Sequence, residues 1–368
     1  MMRILNRWIL VAVCAVIPCG CGNSEETEST QPVAASELEG IDPQFSTPTA
    51  TPPRVEETRP SAVLKLNLQP GQRIPLLKTV QQTLVQKMPQ GDIVNRDWLE
   101  MLVTLRLEQM TEDGRRKLSV HYDRVRYQNE IGGQTIRFDS DTPTDQLPAV
   151  MLPYRGLVNN GFAFWIGPDH RILEPVGFAD FLQRCIRDVP PAQREQVLNA
   201  FANSTEEGVA NFVDDSIGYL PLASHPIVEG DTWTRERSLS RPVPLFIQNH
   251  CSLSRLTDRI ADIDIAGTIA TTRTFGEQRQ TENGDVQVIV RGGHAHGTCR
   301  IDRETGLPLH CSVKHLLDMA VRQADGREFV QQKITTTTIR LFPEQSTPNS
   351  NAIQPASYEE VDRSASRR

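Results

Sequence analysis

From residue 63 the chain alternates apolar and polar positions. Val63-Leu64-Lys65-Leu66-Asn67-Leu68 has the period of two that marks a half-buried strand. Pro70-Gly71 turns the chain, and a long strand is predicted over 74–87. Trp98 to Met110 and Arg116 to Gln128 flank Thr111-Glu112-Asp113-Gly114. Asp-Gly between two alternating runs predicts a hairpin. A second hairpin is predicted where Phe162 to Ile166 and Arg171 to Val176 flank Gly167-Pro168-Asp169. Further strands are predicted near 231–239, 246–257, 260–274, 284–302, 307–322 and 328–341.

Between these two β stretches the period changes. Phe178, Phe181, Leu182, Cys185 and Val189 share one face of a helix. Val197, Leu198 and Phe201 continue after Pro190-Pro191, and Ser204-x-x-Glu207 reads as a capping box before Val209, Phe212 and Val213. Strands on both sides of short helices predict an α+β fold. The expected form is a strongly curved antiparallel sheet or half-barrel, with a helical block over 177–217 packed on it. Leu68-x-x-Gly71-Gln72-x-Ile74 echoes Ile227-x-x-Gly230-Asp231-x-Trp233. The echo fits a duplicated β unit, and it also fits the recurrence of one common turn.

The ends of the chain read differently. Arg3 and Arg7 precede the apolar run Trp8 to Ile17, which suits a signal peptide over 1–20 and is too short to span a bilayer. Gly20-Cys21 follows directly and has the form of a lipobox, with Cys21 as the lipidated residue, although Pro18 and Cys19 depart from the usual positions before it. An ordinary secretory signal is the alternative. Residues 22–60 hold eight acidic and two basic residues among Ser, Thr and Pro, so 21–60 is predicted to be a disordered tether. A disordered tail is predicted over 344–368, which leaves 61–343 as a single β-rich body.

The net charge of −7 makes phosphate-backbone binding a poor expectation, so no nucleic-acid partner is predicted. No G-x-S-x-G, H-E-x-x-H, Walker A, G-x-G-x-x-G or C-x-x-C motif occurs, and neither an enzyme nor a cofactor is predicted. Asp139-Ser-Asp141 and Asp262-Ile-Asp264 place paired carboxylates on one side of a strand, a weak cation signal.

The richest stretch is Gly292-Gly293-His294-Ala295-His296-Gly297-Thr298-Cys299-Arg300, which leads into a hairpin at Glu304-Thr305-Gly306. Centring that hairpin on Thr305 sets Arg303 opposite Leu307, Ile301 opposite Leu309 and Cys299 opposite Cys311. A disulfide between Cys299 and Cys311 is therefore a candidate, with Cys185 and Cys251 as the remaining mature cysteines and three connectivities open. His294, His296 and His310 are the candidate metal ligands, set against a plain polar strand face.

Leu157 to Gly177, Pro226-Ile-Val-Glu-Gly230-Asp231-Thr-Trp233 and Asp302-x-x-Thr305-Gly306-Leu-Pro308 resemble recurring stretches of uncharacterised bacterial secreted lipoproteins. His170 stands where those proteins lead one to expect glycine. That family has no known function, so the resemblance implies a fold and a compartment but no active site. The curved sheet is also similar, at the level of fold, to periplasmic lipoprotein carriers. The expectation is a non-enzymatic, lipid-anchored protein of the cell envelope with a binding or structural role, whose partner is the membrane through its anchor. The alternative is a carrier of an apolar ligand such as an acyl chain or a lipoprotein. Phe178, Leu182, Phe201 and Phe212 are expected to seal onto the sheet as a dry core.

Overall fold

A computed structural model of the chain describes residues 60–142, 147–148, 151–195, 217–221, 225–239, 245–271, 286–323 and 326–342. The predicted signal peptide, the predicted tether up to residue 59 and the predicted tail, with Cys21, Phe201 and Phe212, lie outside them.

Strands β1 (Ser61–Ala62), β2 (Arg73–Lys87), β3 (Ile93–Met110), β4 (Arg116–Ile131), β5 (Gln134–Asp139), β6 (Asn160–Ile166) and β7 (Ile172–Val176) form the first half. Helix α1 (Leu152–Leu157) precedes β6, and α2 (Phe178–Cys185) follows β7. A 3-10 turn over Ile217–Tyr219 leads into β8 (Ile227–Val228), β9 (Thr232–Leu239), β10 (Leu245–Leu256), β11 (Ile260–Thr271), β12 (Val286–Asp302), β13 (Pro308–Gln323) and β14 (Glu328–Leu341). Every described pairing is antiparallel, and the main sheet has the order β7-β6-β4-β3-β2-β14-β13-β12-β11-β10-β9, with β5 beside β4. The sheet is curved but not closed, and the fold is the expected α+β. The first half steps outward from the central β2, the second steps inward to β14, and β2 pairs with β14 at the seam.

The two echoing turns have the same geometry. Gly71 and Gly230 both take left-handed φ (81° and 94°). Their N–H groups donate to Leu107 O on β3 and Leu253 O on β10, in each case the second strand after the turn.

One face of the sheet, the inner face, carries the core. Alternate positions of each strand feed it, as in Val103-x-Leu105-x-Leu107 on β3 and Phe162-x-Phe164-x-Ile166 on β6, all buried. Segment 63–68 corrects one expectation. Its alternation does bury Leu64, Leu66 and Leu68, but only Ser61–Ala62 pairs in register, with β8. The rest lies across the turns at one end of the sheet. Asn67 N–H donates to Thr305 O (2.8 Å) and Leu66 N–H to His170 Nε2 (3.3 Å). A Cβ on Gly306 would stand 2.1 Å from Lys65 O, so the hairpin tip packs directly on this segment. The period of two therefore fixed which side chains are buried, while the partner is a set of loops.

Helix α2 buries Phe178, Phe181, Leu182 and Cys185, the predicted face, with Val189 buried just beyond. Phe162 meets Phe178 edge-on at 4.9 Å and Phe181 at 5.0 Å, so this helix seals directly onto β6. Helix α1 was not predicted: it is six residues long and contains Pro153 and Gly156. A Cβ on Gly156 would lie 2.0 Å from Cys185 O, which is how closely the two helices approach. Asn160 ties them to the sheet, donating to Gly156 O (3.1 Å) and accepting from Arg184 Nε (2.8 Å).

Edge strand β9 reaches toward the opposite edge through Arg235. Its Nε–H donates to Gly218 O (2.6 Å), and its terminal nitrogen contacts Asp169 O (3.5 Å) in the β6–β7 turn.

Candidate functional site

A single register line crosses the inner face of nine strands. It runs Arg235, Asn249, Gly267, Ala295, His315, Thr335, Gln82, Asp97, Asn129, from β9 to β4. Apart from Gly267 and Ala295 every member is polar. On one side of this belt lies the main core, including Cys251, Ile265, Val313 and Ile339. On the other side lies a second, separate apolar cluster of Leu245, Ile247 and Ile269, with Val290 and Leu317 against it.

The belt is densest at Asp97, which is 5% exposed. Its Oδ1 accepts from Tyr127 O–H (2.7 Å) and Asn129 Nδ2 (2.5 Å), and its Oδ2 from Gln82 Nε2 (3.4 Å). Burial raises its pKa above the usual carboxylate range, while the Tyr127 and Asn129 hydrogen bonds and the Lys333 charge pull the other way. Tyr127 stacks on Tyr154 of α1 (4.3 Å, 15°), and burial drives both phenols well above their ordinary pKa. The carboxylate is thus surrounded by donors and held in place. Four residues further along β2, Gln86 faces Gln331 across the seam with β14 and donates a further amide hydrogen bond from Nε2 (3.4 Å to Gln331 Oε1). Gln82 Oε1 and Asn249 Oδ1 are buried without a hydrogen-bond partner. An orphaned buried acceptor costs about 1–3 kcal/mol, so the belt has capacity to receive hydrogen bonds at two positions.

The histidine-rich stretch resolves differently. His294 and His296 are exposed on the outer face of β12, their rings 6.2 Å apart. His310 lies opposite Arg300, four residues along β13 from Lys314, which faces His296. At about 3.3 Å per residue His310 is therefore about 13 Å away along the strand. Among the described residues no group of three His, Cys, Asp or Glu side chains is arranged to hold a metal. Arg300 instead pairs with Asp262 (2.7 and 3.2 Å). Asp139 and Asp141 are engaged by Arg126 (3.0 and 3.2 Å).

The glycines of that stretch are structural. The register shifts between Val290 and Gly292, where Gly292 takes φ 135°, which is a bulge. A Cβ on Gly293 would meet Leu316 O at 2.2 Å, and one on Gly297 would meet Ser312 O at 2.2 Å. We expect Gly297→Ala to destabilise the fold by about 1–3 kcal/mol. His294→Ala and His296→Ala should each stay within about 0.5 kcal/mol. Denaturant titration measures all three, and a larger loss at a histidine than at Gly297 would refute this assignment.

Cys299 and Cys311 do face each other across β12 and β13. Both are buried, and both are thiols in this structure. The hairpin beyond them departs from the predicted register: a shift after Arg300 sets Ile301 opposite Pro308, not Leu309. Asp302 holds the tip, its Oδ2 accepting from Thr305 Oγ1 (2.7 Å) and N–H (3.2 Å), and Gly306 takes the left-handed φ of 73°. Burial pushes the Cys185 and Cys251 thiols up to about 12.

A family model matches residues 113–308, just over half of the chain. The chain belongs to DUF6263, a family of unknown function. All three stretches that resemble uncharacterised lipoproteins fall inside the matched span. No curated protein matches the sequence. Among solved structures, lipovitellin, described with its lipid–protein interactions, is 11% identical at a TM-score of 0.40. That match covers 78% of this chain, which spans only 27% of the lipovitellin chain. The translocator domain of autotransporter NalP from Neisseria meningitidis is 6% identical (TM-score 0.16, 75% of this chain and 90% of that one). A lipoprotein-sorting protein domain from Vibrio parahaemolyticus is 8% identical (TM-score 0.12, 74% and 87%). Scores this low establish neither fold nor activity.

Proposed function

We propose that this DUF6263 protein is a non-enzymatic, lipid-anchored component of the cell envelope. Its body binds an amphipathic ligand with an acyl chain on the inner face of the sheet. The observation that carries the binding reading is the split of the inner face into two apolar clusters by the polar belt. A small fold gains most by merging its inward apolar residues into one core, because each buried CH₂ is worth about 0.8 kcal/mol. A second cluster beyond a row containing Asn249, Gln82 and Asp97 forgoes part of that gain. The same arrangement offers an apolar wall beside unmet acceptors, Asn249 Oδ1 and Gln82 Oε1. It fits a ligand whose head donates hydrogen bonds and whose tail is apolar. The anchor reading rests on Gly20-Cys21 after the apolar run at 8–17.

One set of variants tests both parts. Cys21→Ala should leave the membrane fraction, and Cys19→Ala should stay in it. If both variants remain membrane-bound, the anchor is wrongly assigned. The released Cys21→Ala protein carries no acyl group on that residue, so lipid extracted from it by organic solvent is non-covalent. Mass spectrometry should find an acyl lipid there, and Ile269→Glu in the same background should lose most of it. A Cys21→Ala protein that yields no acyl lipid removes the carrier reading.

A further inference from the structure

We propose that Cys299 and Cys311 are a disulfide-forming pair, and that Cys185 and Cys251 remain thiols. Four cysteines allow three pairings. The strand register singles out one of the bonds they offer. Directly opposed residues on antiparallel strands have Cα atoms about 4.5–5.5 Å apart, inside the span of about 4.4–6.8 Å that a disulfide bridges. Cys299 and Cys311 are such a pair.

Cys251 is the nearest competitor, close enough for its thiol to be influenced by Cys299. It sits on β10, where Ile265 and then Gly297 continue its register line, one rung away from Cys299. Two strand spacings separate β10 from β12, so the two Cα atoms are roughly 9–10 Å apart before the offset is added. That exceeds the limit of about 7 Å for bridging without moving the backbone. Cys185 is on α2, where its sulfur contacts Asn160 Nδ2 at 3.4 Å, and among the described residues it faces no cysteine across a strand.

The position gives the bond a structural role. β12 and β13 slip register at Val290/Gly292 and again at Arg300/Ile301, and the pair sits directly beside the second shift. A one-residue slip would turn inward side chains outward, and a covalent tie at that point fixes the register. Oxidation removes one hydrogen from each thiol. The two electrons and two protons pass by thiol–disulfide exchange to a disulfide oxidant, which leaves as a dithiol. Both side chains are buried, so the exchange belongs to folding, before β12 and β13 close over them.

The inference takes from the proposed function only the exposure of the body to an oxidising compartment, and the experiment separates the two. The full-length chain is denatured and refolded with oxidised glutathione, its remaining thiols are blocked under denaturing conditions, and it is digested with trypsin. Cleavage after Arg291, Arg300, Arg303 and Lys314 puts Cys299 in the peptide 292–300 and Cys311 in 304–314. We expect these two peptides to be joined, 2 Da lighter than their sum, with the blocking group on Cys185 and Cys251. Recovery of both peptides individually blocked, or of Cys251 bridged to Cys299, overturns the proposal. The same map made on protein blocked directly in cells reads the compartment: a bond formed in vitro but absent in cells refutes export and leaves the pairing intact.

Discussion

Replacing Asp97 with leucine should destabilise the fold by about 2–5 kcal/mol, whereas Asp97→Asn should stay within about 1 kcal/mol of the parent protein. Leucine leaves the Tyr127 hydroxyl and the Asn129 amide buried with no acceptor, and each unmet donor costs about 1–3 kcal/mol. Asparagine keeps Oδ1 for both donors, and its own amide can donate to Gln82 Oε1, which has no partner in the parent. It also removes a charge that burial opposes. Asp97 has a folded pKa above its unfolded value, so its ionisation works against folding as pH rises through and above the ordinary carboxylate range. The asparagine variant should therefore gain on the parent between pH 4 and pH 7. Urea titrations at the two pH values measure the difference. A variant that loses ground toward pH 7 would show that the ionised carboxylate, with Lys333, supports the fold.

Most of the fold was legible because a sheet with one buried face writes its period into the chain. The predicted strands of the second half fall within a few residues of those observed, and the Asp113-Gly114 and Glu304-Thr305-Gly306 turns are where they were expected. Misses came where the partner of a segment was irregular. Segment 63–68 has strand periodicity but packs on loops, which periodicity alone does not distinguish. Strand β5 was overlooked although Gly132-Gly133, both at left-handed φ, are a strong hairpin signal. Helix α1 carries too few turns and too poor a helix sequence to be seen.

The belt was the part least visible. Asp97, Gln82, Asn129 and Asn249 lie on different strands, and what makes them a unit is the register of nine strands, which no local window contains. Each reads alone as a polar residue in a strand. One signal was available: on β2, Gln82 and Gln86 occupy the same parity as Leu76, Val80 and Leu84, so polar side chains had to enter the inner face. The histidines misled in the opposite sense. Chemistry-bearing residues drew attention to 292–300, whereas the glycines and Cys299 are the positions there that the inner packing constrains.

His170 is expected to make the closure of one end of the sheet acid-sensitive. Its left-handed φ of 66° fits the turn where glycine was expected, and its side chain explains why glycine is absent. The ring is buried, and Nε2 accepts the Leu66 N–H, tying segment 63–68 to the β6–β7 turn. Burial, with Arg235 and Arg116 nearby and only Asp169 opposing, pushes its pKa down to about 4. The unfolded chain takes up a proton near the ordinary value of about 6.5, and the folded chain does so only near pH 4. The group's contribution is thus intact above the unfolded value and is lost as pH falls through this window, by about 3 kcal/mol in all. Protonation also converts Nε2 to a donor facing the Leu66 N–H, so this hydrogen bond is lost together with the neutral ring. His170→Gln keeps an acceptor within reach of Leu66 but does not titrate. It should be less stable than the parent at pH 7, where the αL position strains it, and the gap should close or reverse by pH 4. Parallel stability curves for the two proteins from pH 7 to pH 4 would exclude His170 as the source of acid sensitivity.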